Sequence, residues 1–440
     1  MSRRWLGALA ALFLAGCSMG PTTLLPAIPL ASPPVAHEAR VALSFLNDPA
    51  WSGFGTEIRP VALSDGRTAE EAVVLALIEG PKGELLPVCP KNVSLNEVYI
   101  AGDIAFIDIQ PTGDMPAQQL EVFRKACLQS LSSLCQVNYV YLSVDGYLPR
   151  GLSMPVESLS SETEGGLDLL LFYTGRDTLL MLPEIGNIIP QNQSERAMAQ
   201  AVVERWLQGS RSESIGAWQP GLRWEGLQRL ADGSYQLQLG DDFGSEGRNY
   251  DYGALALTLC QGMPQWQQVS ILFNGQPAPG GQAGLFSQAE QRALRGSEVE
   301  LYFADEQAER LRPVKRILSL MEMNDRFQPV KQILMGPAER EGADIYPVLP
   351  EDAGWHDLLG AYVENDLAVL DLSAGFYQAC AGMDQRAERL LAYALVNAMT
   401  WRGDIKRVLF LCEGENAVWL AGKIALSKPL LRNPGLIQDE

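Results

Sequence analysis

The residues best placed for chemistry stand near the start of the chain. Leu14-Ala15-Gly16-Cys17 sets small side chains immediately ahead of a cysteine. A lipoprotein signal peptidase cleaves at that spacing, and the new N-terminal Cys17 then carries acyl chains that anchor the protein. Arg3 and Arg4 supply a short positive region, and Trp5 to Ala15 an apolar run too short to span a bilayer comfortably. An ordinary secretory signal with an incidental cysteine is the alternative. No other apolar stretch reaches the roughly 18 residues of a membrane-crossing helix. The expectation is a bacterial, exported protein, lipid-anchored through Cys17 with everything after it outside the cytoplasm.

The remaining candidates for chemistry are sparse. Asp241-Asp242 could be read as an acid pair, but neighbours on an extended segment point apart, so a turn cap is the preferred reading. Asp108 and Asp371 recur at matching strand ends; they either present acids to a partner or cap the segment that follows, and capping is preferred. His37 and His356 are the only two histidines, too few for a histidine-ligated metal site, so neither metal nor cofactor is expected. With Cys17 assigned to lipid, six cysteines remain: Cys89, Cys127, Cys135, Cys260, Cys380 and Cys412. An even number outside the cytoplasm permits disulfides, but their placement on predicted helices and strands favours buried free thiols. The sequence holds no Cys-x-x-Cys and no phosphate loop, so an enzyme is not expected.

The elements that would position these residues come in a repeat. An apolar helix stops at Gly80-Pro81, again at Gly209-Ser210, and again at Gly336-Pro337. Upstream of each stop lies a strand with a phenylalanine (Phe45, Phe172, Phe303), and a little downstream a proline opens the next strand (Pro90, Pro220, Pro350). Each copy closes at Asp145-Gly146, Asn274-Gly275 or Glu413-Gly414. In copy one, Val41 to Phe45 reads as a strand and Glu57-Ile58-Arg59-Pro60 as a loop. Thr68 to Glu71 is a capping box for the first helix, and two alternating runs around Ala101-Gly102-Asp103 form a hairpin. Leu120, Phe123, Cys127, Leu131 and Leu134 make the apolar stripe of a second helix, and Val137 to Val144 the last strand. Copy two follows with a hairpin at Asp232-Gly233, and copy three with one around Glu364-Asn365-Asp366.

The order strand, helix, strand, strand, helix, strand predicts an α+β fold: three tandem small β-α-β-β-α-β sandwich domains. The expected limits are a signal peptide over 1–16, a Pro-rich tether over 17–40, domains over 41–148, 167–276 and 298–425, linkers over 149–166 and 277–297, and a tail over 426–440. An apolar content of 47% suits a packed multi-domain chain. The net charge of −19, about −21 once Arg3 and Arg4 are cleaved, repels nucleic acid and anionic lipid surfaces and favours protein or neutral-polymer partners.

Val369-Leu370-Asp371-Leu372-Ser373-Ala374-Gly375-Phe376, with Ile333-Leu334-Met335-Gly336-Pro337, resembles the GerMN domain of sporulation and spore germination lipoproteins. Copy one carries the same resemblance in Ile78-Glu79-Gly80-Pro81 and Phe106-Ile107-Asp108-Ile109; copy two, with Ser210 and Leu239-Gly240-Asp241-Asp242-Phe243, departs furthest. The family fold is similar to ring-building domains of specialised secretion systems. The resemblance implies a non-enzymatic assembly or scaffold protein of the sporulation or germination envelope machinery, whose partners are envelope proteins or further copies of itself. The alternative is a peptidoglycan- or cortex-binding lipoprotein using exposed aromatics among Trp206, Trp218, Trp224, Trp266, Trp355 and Trp401, although tryptophan is more often a core residue.

Overall fold

A computed structural model describes residues 37–438 apart from 51–52, 64–67, 135, 150–151, 153–155, 160–165, 177, 213, 216–220, 242–250, 264, 324 and 365. Copy one runs β1 (His37–Leu46), β2 (Phe54–Leu63), α1 (Ala69–Glu79), β3 (Val93–Ala101), β4 (Ile104–Pro111), α2 (Ala117–Ser132), β5 (Tyr139–Val144) and the two-residue β6 (Glu157–Ser158). Copy two runs β7 (Leu167–Thr174), β8 (Met181–Ile188), α3 (Glu195–Trp206), β9 (Leu222–Arg229), β10 (Tyr235–Asp241), α4 (Tyr252–Gly262) and β11 (Gln268–Phe273). After it come β12 (Gln276–Pro277), β13 (Leu285–Ser287) and the short α5 (Gln288–Arg292). Copy three runs β14 (Gly296–Ala304), β15 (Leu311–Ser319), α6 (Leu320–Met323), α7 (Gln328–Met335), β16 (Leu358–Glu364), β17 (Leu367–Leu372), α8 (Ala374–Cys380), α9 (Gln385–Thr400) and β18 (Arg407–Cys412), then β19 (Glu415–Asn416) and β20 (Leu430–Leu431). The fold is α+β, in tandem copies of one plan.

Local chemistry sets the boundaries. Thr68 accepts from the Glu71 amide and starts α1, and Ser194 does the same for α3 through Ala197. The helix-stop glycines 80, 209 and 336 take φ of 93°, 82° and 86°, values that side-chain-bearing residues rarely adopt. The closing turns share one conformation: Asp145, Asn274 and Glu413 sit at φ of 50°, 48° and 50°, each followed by a glycine that is also at positive φ. The stripe on α2 is buried as its spacing requires, with Phe123, Cys127 and Leu131 fully inside.

Two expectations are corrected. Glu57-Ile58-Arg59-Pro60 is not a loop: it lies inside β2, which pairs antiparallel with β1 from His37↔Leu63 to Leu46↔Phe54. The same extra strand recurs as β8 and β15, so each copy opens with a hairpin. β2 hides from a pattern search because it is half of a two-stranded ribbon. Arg59 and Val61 face inward while Ile58 is 72% exposed, and Pro60 interrupts the run. The first strand also begins at His37, inside the segment expected to be a tether.

In every copy the second hairpin is antiparallel, and its inner strand pairs parallel with the last strand: β4 with β5, β10 with β11, β17 with β18. The helix between those two strands makes the crossover that parallel pairing demands. In copy one both helices pack on each other, on the opening hairpin and on the sheet, around a core that includes Phe45, Leu77, Ile107 and Phe123.

The copies also close on one another. Tyr99, Phe106 and Tyr141, on the outer face of copy one's sheet, join the core of copy two. The Arg295 guanidinium lies over Tyr99 at 5.1 Å, and Ser297 Oγ donates to the Ile100 carbonyl. Copies one and three exchange the same elements in both directions: β1 runs beside β16, and β14 beside β3. Since β14 corresponds to β1 and β16 to β3, the two copies face each other in an approximately two-fold arrangement.

Candidate functional site

The most constant polar structure in the repeat is a clasp on the helix stop. In copy one, Arg59 on β2 donates to the carbonyls of Ala76 (2.6 Å) and Gly80 (2.9 Å) and pairs with Glu57 at 3.1 Å. Glu57 accepts in turn from the amides of Lys82 and Gly83. In copy three Arg316 occupies the matching place on β15 and donates to the Gly336 carbonyl, but its carboxylate comes from Glu341, beyond the helix, which accepts from the Ala338 amide. Phe45 and Phe303 cover the two guanidinium groups at 5.7 and 5.8 Å. Each clasp satisfies carbonyls that a helix end leaves without partners.

Copy two builds the clasp from a different position. Register places Gly186 where the other copies have arginine, since Leu169↔Gly186 matches Val41↔Arg59 and Val299↔Arg316. The guanidinium comes from Arg205 on α3, which reaches the Gly209 carbonyl and Glu184, both at 3.3 Å. Glu184 accepts from the Arg211 amide, as Glu57 does from Lys82. A side chain at 186 would run into Leu171 and Arg205.

The acids singled out by sequence lie at the closing turns. Asp108 is buried and accepts from Ser143 Oγ (2.5 Å), the Gly146 amide (2.7 Å) and Asn96 Nδ2 (3.1 Å). Asp371, half-buried, accepts from the Gly414 amide at 2.9 Å. Register gives copy two Gln238 at this position. The Asp241 amide instead donates to Asn274 Oδ1, and Asp242 lies outside the described residues. Asp108 and Asp371 hold backbone donors across the turn and so fix its conformation.

The other candidates are dispersed. Cys17 and Cys135 lie outside the described residues. Cys89, Cys127, Cys260 and Cys380 are buried free thiols, and Cys412 is a half-buried one. Burial pushes the thiols of Cys89, Cys260 and Cys380 up to about 12, and that of Cys127 well above the ordinary range. His37 begins β1, and His356 is a largely exposed residue of a short 3-10 turn, 3.5 Å from Asp357. Trp206 and Trp266 are core residues, Trp224 and Trp401 are half-buried, Trp355 is 62% exposed, and Trp218 lies outside the described residues. Trp419, 50% exposed, was not singled out by sequence.

A cleft of about 180 Å³ opens where copies one and three meet, lined by Ile100, Asp103, Gln136, Asn138, Trp401 and Arg402. The β3–β4 turn brings Asp103, and the stretch after α2 brings Gln136 and Asn138; Asn138 Nδ2 donates to Asp103 Oδ2 at 3.0 Å. The end of α9 brings Trp401 and Arg402, with Arg402 held by Glu70 of α1 at 3.3 Å. Of these residues, sequence reasoning named Trp401 as a binding candidate and Asp103 only as part of a hairpin turn. Ile100 ends a strand and Gln136, Asn138 and Arg402 follow helices, and only the meeting of two distant copies brings them together.

The sequence model of the family described as "Germane: Sporulation and spore germination" matches residues 43–148 and 300–418, just over half of the chain. The chain belongs to the Germane family. The matches fall on copies one and three, and the Germane plan extends to copy two through its strand order and its clasp. Among solved structures, the chain is similar to the tandem GerMN domains of the sporulation protein GerM from Bacillus subtilis, at 14% identity over 60% of this chain and 97% of that one, TM-score 0.24. It is also similar to a putative lipoprotein from Clostridium perfringens, at 21% identity over 32% and 89%, TM-score 0.22. The first GerMN domain of GerM matches at 19% identity over 31% and 97%, TM-score 0.25. No curated protein matches the chain. Among the described residues, no helix is long and apolar enough to cross a membrane.

Proposed function

We propose that this protein is a non-enzymatic, lipid-anchored assembly or scaffold protein of the sporulation or germination envelope machinery, held outside the cytoplasm by acylated Cys17. The observation that carries this reading is the double match to the Germane family of sporulation and spore germination. The disposition of the reactive groups agrees with it. Asp108 and Asp371 are committed to backbone amides, and four thiols are buried and held protonated, so the chemistry of these side chains goes into holding the copies rather than into turnover. The partners on this reading are envelope proteins or further copies of the chain. A signal peptide over 1–16 and a tether from 17 to the start of β1 are part of the same proposal.

Deleting the gene in its own host and counting heat-resistant spores tests the reading. The expected outcome is a large loss, restored by the intact gene but not by Cys17→Ala. Normal spore numbers with normal germination, or a host that forms no spores, would overturn it. A wall-binding role is the second reading, favoured by the cleft at Trp401.

A further inference from the structure

We propose that the cleft between copies one and three binds a single N-acetylated hexosamine ring of an envelope glycan. The site is built from both copies and is present only when they are docked. Its volume of about 180 Å³ is below the range of pockets for drug-sized ligands and suits one six-membered ring. Trp401 offers an apolar face for the ring's C–H groups, and buried Ile100 an apolar wall for an acetyl methyl. The carboxamides of Gln136 and Asn138 each present a donor and an acceptor, the complement of an acetamido group and a neighbouring hydroxyl.

The charges point to a neutral ligand. Asp103 and Arg402 line the same cleft with opposite sign, so it favours neither an anion nor a cation. Asp103 and Asn138 are already bonded to each other, and Arg402 is held by Glu70, so the polar groups are placed before any ligand arrives. The strongly acidic surface of the rest of the chain repels polyanions. The proposal does not rest on the assembly reading, since the cleft would hold such a ring whatever the chain's other partners.

Titration of the protein with the trimer of N-acetylglucosamine, followed by NMR, tests it, with the glucose trimer maltotriose as the control lacking acetamido groups. A one-ring site of this size is expected to bind in the millimolar range. Trp401→Ala should weaken binding about tenfold or more. Asn138→Ala, at an exposed side chain whose loss spares the backbone, should weaken it as well. Trp355→Ala and Trp419→Ala, exposed tryptophans that do not line the cleft, should leave it within about twofold. Thermal melting of each variant separates loss of binding from loss of fold. The proposal is overturned by absence of saturable binding well above the millimolar range, by equal binding of maltotriose, by binding that survives both cleft variants, or by binding to a peptidoglycan stem peptide in place of the sugar.

Discussion

Replacing Arg59 with methionine removes a guanidinium that is 7% exposed and leaves four groups without it: the carbonyls of Ala76 and Gly80, the Glu57 carboxylate, and the exposed Glu79 carboxylate at 3.7 Å. Methionine fills similar volume, so the loss is electrostatic rather than one of packing. Breaking a buried ion pair by deleting one partner costs about 3–5 kcal/mol, most of it from the charge left behind. The damage is local to the end of α1, so amide hydrogen exchange across Val73–Glu79 reads it without requiring the three copies to unfold together. At about 1.4 kcal/mol per factor of ten, exchange there should accelerate by two to almost four powers of ten. Adding Glu57→Gln should recover part of the protection, because it removes the stranded charge while the carbonyls stay without their donor. Acceleration below about fivefold in Arg59→Met, equivalent to less than about 1 kcal/mol, would refute the view that the clasp holds the helix stop.

Two further outcomes follow from the turns and the thiols. Asp108→Ala should cost about 2–3 kcal/mol and Asp371→Ala about 1 kcal/mol, because Asp108 is buried with three donors while Asp371 is half-buried with one amide; a larger fall in melting temperature for Asp371→Ala would contradict the ranking. The thiols of Cys89, Cys260 and Cys380, pushed up to about 12 in the folded chain, ionise near pH 8.5–9 once unfolded. Above that pH the unfolded chain binds fewer protons than the folded one. Stability should be full below pH 9 and fall toward pH 12 by about 1.4 kcal/mol per pH unit per thiol. Denaturant titrations should show the fall, and replacing the three cysteines with alanine should make it shallower, the remainder coming from Cys127 and from buried tyrosines such as Tyr99 and Tyr141, whose protons burial also holds.

Much of the fold was legible because its signals are local. Helix stops at Gly80 and Gly336, the cap at Thr68, the stripe on α2 and the turns at Asp145, Asn274 and Glu413 depend on neighbours within a few residues, and sequence spacing carries them directly. The opening hairpins escaped because β2 alternates imperfectly and contains Pro60. The clasp escaped for a different reason. Its arginine stands on a strand in copies one and three and on a helix in copy two, so what is kept is a charge at a place in space. That is also why copy two looks the most divergent by sequence while following the same plan. The seam cleft had no linear signature, since Asp103 and Arg402 approach only after copies one and three have docked.

The reciprocal docking of copies one and three sets an order of events during synthesis. Glu70, near the start of the folded region, finds Arg402 only after 332 further residues have been made. At about 5–20 residues per second, that delay is about 15–65 s. Through that interval copy one stands as an unfinished half, with the edge of β3 and the flank of β1 still awaiting β14 and β16. A chain emerging N-terminus first would need those strand borders shielded until copy three arrives, and a truncation ahead of copy three would leave them bare for good.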